Sequence, residues 1–341
     1  LKFIKNIGWV GVKNRDRNYK PIISFIQSHK GGIERLMLRD DITGYTEGIN
    51  EFGVSVLSAA TAVKSDEKEA VLLLRKKKKG AKRSLAAEVR AGNIEVAGEN
   101  VDGKKLGKVL LEPTLDKALV KIKELHPLGN HILFDESTCY MVEIDLAKAE
   151  RERAVKQREI DPNWEHPDPE SRDVDISVKK VPKDSHVIRT NHGIMIDTAG
   201  YQTEVDSMNG DTDNNEYLEW MQQNRLSSDS RYKVAERGVK KADSIFSMLE
   251  ALSDRSNKDP QMNPLRTGSR TEKKALRTTG QMVIIPSMKK IQYRNIWSTV
   301  KEGRFNKANK NSSVTYLDLL SYTEDIYESK FNTLVQNIIL N

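Results

Sequence analysis

The sequence predicts a layered α+β domain, and three observations carry that prediction. The front third reads as short strands separated by turn residues. The middle holds a helical segment and a strand pair, and the last third a long helix followed by a late hairpin. No internal repeat divides the 341 residues, so residues 1–341 are read as one domain.

The opening residues set the pattern. Ile4, Trp9, Val10 and Val12 are β-type residues, and Asn6 with Gly8 marks a reversal between them. A turn centred on Asn6 and Ile7 pairs Leu1 with Val12, and places the position before Leu1 beside Lys13 and the polar run that ends at Asp16. One reading is a surface hairpin ending in solvated charges. The other is a chain start held against a Lys/Asn/Arg/Asp cluster, where an α-amine can act as general base for a nucleophile on the same residue.

Strands are expected at 22–26, at 33–38 after Gly31-Gly32, and at 54–61. The last of these shrinks to small residues at its end, as a strand does where another group approaches closely. Asn50 and Glu51 are expected to hold the turn that precedes it. Helices are expected at 67–79 and 84–91, and at 114–125, where Thr114 is an N-cap. Residues 129–135 and 139–145 read as a strand pair around a turn. Charges with Pro162, Pro167 and Pro169 mark 150–172 as an exposed excursion. Strands follow at 174–181 and 185–189, helices at 215–223 and 231–252, and a hairpin at 281–293. A helical tail, about 313–341, closes the chain.

Composition narrows the function. A hydrophobic share of 37% and a charged share of 31% describe a polar, soluble protein. No run approaches the roughly 20 apolar residues of a membrane helix. Without a basic leader and apolar h-region, a cytoplasmic protein is expected. Cys139 is the single cysteine, which excludes an internal disulfide, and it is read as a core thiol. The net charge of +7 is partly gathered in Arg75-Lys-Lys-Lys-Lys79, Lys82 and Arg83. No aromatic residues interleave with this run, so a solvated helix end or loop is favoured over a nucleic-acid contact. The six histidines offer no zinc spacing, and 211–216 lacks the glycine and distant glutamate of a calcium loop.

Several separated motifs occur in a telling order: the hairpin ending Lys13-Asn-Arg-Asp16, Gly48-Ile-Asn-Glu-Phe-Gly-Val54, and Asn130-His-Ile-Leu-Phe-Asp135 running on to Val142-Glu143. Arg189-Thr-Asn-His192, Ser228-Asp-Ser-Arg-Tyr232 and Arg277-Thr-Thr-Gly-Gln-Met-Val-Ile-Ile-Pro286 follow. This set, over about residues 1 to 300, resembles the N-terminal-nucleophile (Ntn) amide hydrolases of the choloylglycine hydrolase and penicillin V acylase type. It is also similar to the related acyl-coenzyme A:6-aminopenicillanic acid acyltransferases. The resemblance implies a four-layer αββα sandwich and cleavage or acyl transfer of a linear, non-peptide amide. An N-terminal cysteine, expected immediately before Leu1, would be the nucleophile.

Carried over residue by residue, Asp16 would orient the α-amine and thiol, with Lys13 beside them where the family has arginine. Asn191 would donate its side-chain N–H to the oxyanion, a role worth ~3 kcal/mol, and Arg231 would keep the thiolate network charged. Ser58, Ala60 and Thr61 would line the pocket, with a backbone N–H near Ala60 completing the oxyanion hole. No cofactor or metal is implied, and the partner is a small-molecule acyl amide. His192, next to Asn191, is expected to face away in a packing role. The rival expectation is a catalytically inactive protein of the same fold serving a larger assembly, and homo-oligomerisation is left open.

Overall fold

The N-terminal hairpin fixes the frame on which everything else is hung. In the computed structural model, β1 (Lys2–Ile4) and β2 (Gly8–Arg17) pair antiparallel around a turn in which Asn6 takes φ 69° and Gly8 φ 94°. The structure describes residues 1–17, 21–29, 32–41, 44–59, 101–147, 149–150, 173–191, 195–196, 216–266, 277–304 and 315–321. Lys2 lies opposite Val10 and Phe3 opposite Trp9, so continuing the register sets Leu1 against Gly11 rather than Val12. The expected pairing was one residue out. Three residues, not two, make the turn, and the left-handed Asn6 absorbs the extra one.

The described residues form an α+β structure with two largely antiparallel sheets and few helices. One sheet has five strands: β1, β2, β10 (Arg277–Ile285), β11 (Lys290–Asn295) and β13 (Thr315–Ser321), in that order. The other has eight. Its order is β12 (Thr299–Arg304), β3 (Ile22–Ser28), β4 (Arg35–Asp40), β5 (Thr46–Asn50), β6 (Ser55–Ala59), β7 (Gly129–Phe134), β8 (Cys139–Leu146) and β9 (Val174–Lys180). Only the β11–β13 and β12–β3 pairs are parallel.

Alternation along the strands places the core. Trp9, Met282, Ile284 and Tyr293 of the small sheet share one buried cluster with Phe25, Leu38, Ile49, Leu57, Ile132, Phe134 and Cys139 of the large sheet. The sheets therefore face each other. Gly11 sits where they come closest: a Cβ there would lie 2.6 Å from both Leu57 Cδ1 and Phe134 Cζ. On the outer side of the large sheet, α1 (Val101–Val109) and α2 (Leu115–Leu125) bury Leu106, Val109, Leu115, Ala118 and Ile122 against Val56, Leu133, Val142 and Ile144. The outer side of the small sheet presents Val10, Val12, Val283 and Ile285 to Ile245, Met248 and Leu249 of α4 (Ile245–Leu252). Burying one such aliphatic side chain is worth ~1.5–3 kcal/mol.

Local signals explain most boundaries. The Thr114 side chain accepts the Lys117 N–H and starts α2, as the sequence predicts. The Asn50 side chain accepts the N–H groups of Phe52 and Val54 and donates to the carbonyls of Leu110 and Glu112, so it holds its turn and docks the end of α1.

Three expectations are corrected. Helix α3 runs unbroken over Glu216–Lys241, with Ser228 inside it. The break comes instead at 242–244, where Ser244 caps α4 in a reciprocal pair with Ser247. Residues 185–189 form no strand, only a bridge from His186 to Lys2. The helical tail expected from about 313 is, over Thr315–Ser321, a strand paired with β11, because edge pairing there overrides local helical preference. Strand β12 has no counterpart in the sequence reading. The helices expected at 67–79 and 84–91, the basic run at 75–83, residues 151–172 of the excursion and the tail beyond 321 lie outside the described residues.

Candidate functional site

Strand β2 carries two polar clusters, one on each face. Trp9 points between the sheets and Val10 and Val12 point toward α4, so alternation sends Lys13 and Arg15 inward and Asn14 and Asp16 outward.

On the outer face, three distant parts of the chain meet at Asp16. Asp16 Oδ1 accepts the Thr278 hydroxyl at 2.8 Å from its register partner on β10. Its Oδ2 lies 3.7 Å from Arg231 Nη1 and 3.6 Å from Arg266 Nη1. Arg231, from α3, donates through Nη2 to Asn191 Oδ1 at 3.0 Å, and the Asn191 backbone N–H donates to Ser228 Oγ at 2.9 Å. A guanidinium can only donate, so the Asn191 carbonyl oxygen faces Arg231 and its amide NH2 is turned the other way. A side-chain N–H presented in this manner can stabilise an oxyanion. The sequence therefore anticipated the company of Asp16, Asn191 and Arg231. It missed Arg266 and Thr278.

Arg266 is almost fully buried, and it bonds Ser227 Oγ at 2.6 Å while its backbone N–H donates to Thr278 Oγ1. Burial lowers its pKa, against the opposing pull of Asp16 and then Asp259. It sits in an irregular loop with no periodicity to mark it. Thr278 lies at a bulge in the β2–β10 pairing, which turns it toward Asp16.

The inner cluster is different in kind. Glu47 is wholly buried, with Lys13 Nζ 2.5 Å from Oε1 and Arg15 on Oε2. The pairing of β5 with β6 stops at Gly48 and Val56, and beyond it side chains stand in for ladder partners. Glu47 Oε1 accepts the Ser58 N–H at 2.7 Å, and Lys13 donates to the Ser58 carbonyl. Lys13, Arg15 and Arg17 also lie over the Tyr45 ring at 5.2 to 5.9 Å. Burial pushes the Lys13 amine down to about 8, opposed by Glu47 and reinforced by Arg15. For Glu47, burial pushes upward, but Lys13 and Arg15 outweigh it and hold the carboxyl below its usual range.

The structure thus does not bring Lys13 to Asp16; the sheet separates them. Ser58 has its backbone N–H and carbonyl committed to Glu47 and Lys13. Ala60, Thr61 and His192 lie outside the described residues. Glu47 had a signal that went unread: it shares a strand face with the core residue Ile49, where a charge must find a buried partner.

The chain near Leu1 is threaded between β2 and residues 186–188. Leu1 N donates to the Val187 carbonyl at 2.7 Å, and the Leu1 carbonyl accepts the Val187 N–H at 2.8 Å. A free amine at this nitrogen is lowered to about 5, first by burial, with Cys139 opposing and Arg189 assisting. In this register the position before Leu1 lies opposite Val12, not Lys13. That is four residues short of Asp16, or ~13 Å along a strand. Cys139 is buried and its thiol is pushed up to about 12, mainly by desolvation, which makes it an unreactive core group.

Among the described residues, no cluster of His, Cys, Asp and Glu could hold a metal ion, and no helix is long and apolar enough to cross a membrane. Comparison with protein-family models and with curated proteins finds no match for this chain.

Proposed function

We propose that the protein is an Ntn-type amide hydrolase or acyltransferase acting on a linear, non-peptide amide through an N-terminal cysteine. The strand register favours a cysteine about three to four residues upstream of the position immediately before Leu1, rather than at that position. The observation that carries the reading is the convergence of Asp16, Asn191 and Arg231, from three segments spread over more than two hundred residues of chain, into one hydrogen-bonded and ion-paired run. The layering supports it too: two facing sheets with helices packed on their outer sides are compatible with an αββα sandwich.

Strand direction adds a second support. β1 runs antiparallel to β2 and to residues 186–188, so its line, continued upstream of Leu1, leads between them toward Asp16 and Asn191. A nucleophile on that line attacks the amide carbonyl and passes its proton through the α-amine to the leaving amine. Asn191 holds the oxyanion. Arg231 fixes the amide of Asn191 and neutralises Asp16. Water or an amine acceptor then releases the acyl group.

The test is incubation of the full-length protein with a panel of acyl amides and with a thiol-reactive probe, followed by mass mapping. Turnover with labelling upstream of Leu1, and none at Cys139 in the folded protein, is the expected outcome. Neither turnover nor upstream labelling would reject the reading in favour of a non-enzymatic member of an assembly.

A further inference from the structure

The inward face of the β7–β8 pair is apolar along Ile132, Phe134, Cys139 and Met141, then changes character at one register pair, Asn130 opposite Glu143. Both are almost completely buried, at 1% and 2% exposure. An asparagine and a glutamate on a core face cost several kcal/mol of desolvation unless their polar atoms are satisfied. Both find partners in one segment, residues 189–196. Asn130 Nδ2 donates to the Thr190 carbonyl at 2.9 Å. Glu143 Oε2 accepts the N–H groups of Met195 and Ile196 at 2.7 and 2.8 Å, and its Oε1 is 3.5 Å from Arg189 Nη2.

These anchors bracket Asn191, one immediately before it and one shortly after. From the opposite side, Ser228 and Arg231 of α3 hold the Asn191 backbone and side chain. Asn191 is therefore clamped between the end of the large sheet and a helix.

We infer that Asn130 and Glu143 are positioning residues that set the geometry of Asn191, acting through the backbone at residues 189–190 and 195–196 and not by touching substrate. This rests on the amide-hydrolase reading for its catalytic consequence, but the clamp itself does not. The glutamate is suited to the task because one carboxylate oxygen can take two adjacent N–H groups while the other faces the arginine. A glutamine keeps the double acceptor but sets an uncharged amide against Arg189.

The experiment is hydrogen exchange of the peptide spanning 188–196 in the full-length protein, beside steady-state kinetics, for Glu143→Ala, Glu143→Gln and Asn130→Ala. Exchange at Met195 and Ile196 should rise at least about tenfold in Glu143→Ala. It should return most of the way to wild type in Glu143→Gln. With the clamp loosened, kcat should fall about 100-fold with KM nearly unchanged, the signature of a displaced oxyanion donor, and Glu143→Gln should recover part of it. Unchanged exchange in Glu143→Ala overturns the clamp. Raised exchange with unchanged kcat overturns the positioning role. Should Glu143→Ala fail to fold, Asn130→Ala carries the same two comparisons through Thr190. A wild-type protein that shows the exchange pattern but turns over no amide counts against the amide-hydrolase reading and leaves the clamp standing.

Discussion

The two faces of β2 put charged residues to opposite uses. On the inner face, Lys13 and Arg15 close around Glu47, and Lys13 and Glu47 occupy both backbone groups of Ser58 where the β5–β6 ladder gives out. Those charges finish a sheet. On the outer face, Asp16 meets two arginines, and the run ends in Asn191, whose amide oxygen accepts from Arg231 while its NH2 is turned the other way. The lesson is that residues three apart in one polar run need not share a site. Strand alternation, not proximity in sequence, decides which of them can act together.

Removing Glu47 has the largest expected effect. Glu47→Ala leaves Lys13 and Arg15 buried without their counter-charge, and should cost about 3–5 kcal/mol of stability, measured by denaturant unfolding. A loss under about 1 kcal/mol would show that the inner cluster is not a structural tie.

Next comes Asn191→Ala on the outer face. If the proposed oxyanion role holds, it should lower kcat about 10²- to 10³-fold. The loss of melting temperature should be smaller than for Glu47→Ala, because the hydrogen bond it removes from Arg231 leaves that guanidinium its Asp16 partner. Loss of stability with kcat intact would make the outer cluster structural as well.

Much of this architecture was legible in the sequence. Thr114 announced α2, Asn6 with Gly8 announced the first hairpin, and Asp16, Asn191 and Arg231, which the ordered motifs name, stand in contact. What was hidden was tertiary. A three-residue turn in place of a two-residue one shifted the register, and a shift of one exchanges the faces of a strand. Arg266 meets Asp16 across some 250 residues of chain, with nothing local to mark it. The β13 segment becomes a strand only because β11 offers it an edge.

A subtler effect sharpens the inner face. The folded Lys13 amine titrates near 8 against an ordinary value of 10.5, so between those values the unfolded chain holds more protons than the folded one. Lys13 therefore makes the fold more stable as pH rises from about 8 to 10.5, and its burial is a burden below that window. Denaturant unfolding across this range should show a rising contribution that Lys13→Met abolishes. A slope unaffected by the substitution would place the titration elsewhere.

The most direct measurement compares kcat and melting temperature of the full-length protein carrying either Asp16→Asn or Glu47→Gln. The account predicts that Asp16→Asn loses turnover about 100-fold or more while melting close to wild type. Glu47→Gln should melt lower and keep its kcat once folded. If the two substitutions lose turnover together, or Asp16→Asn keeps it, the division of labour between the faces of β2 is contradicted.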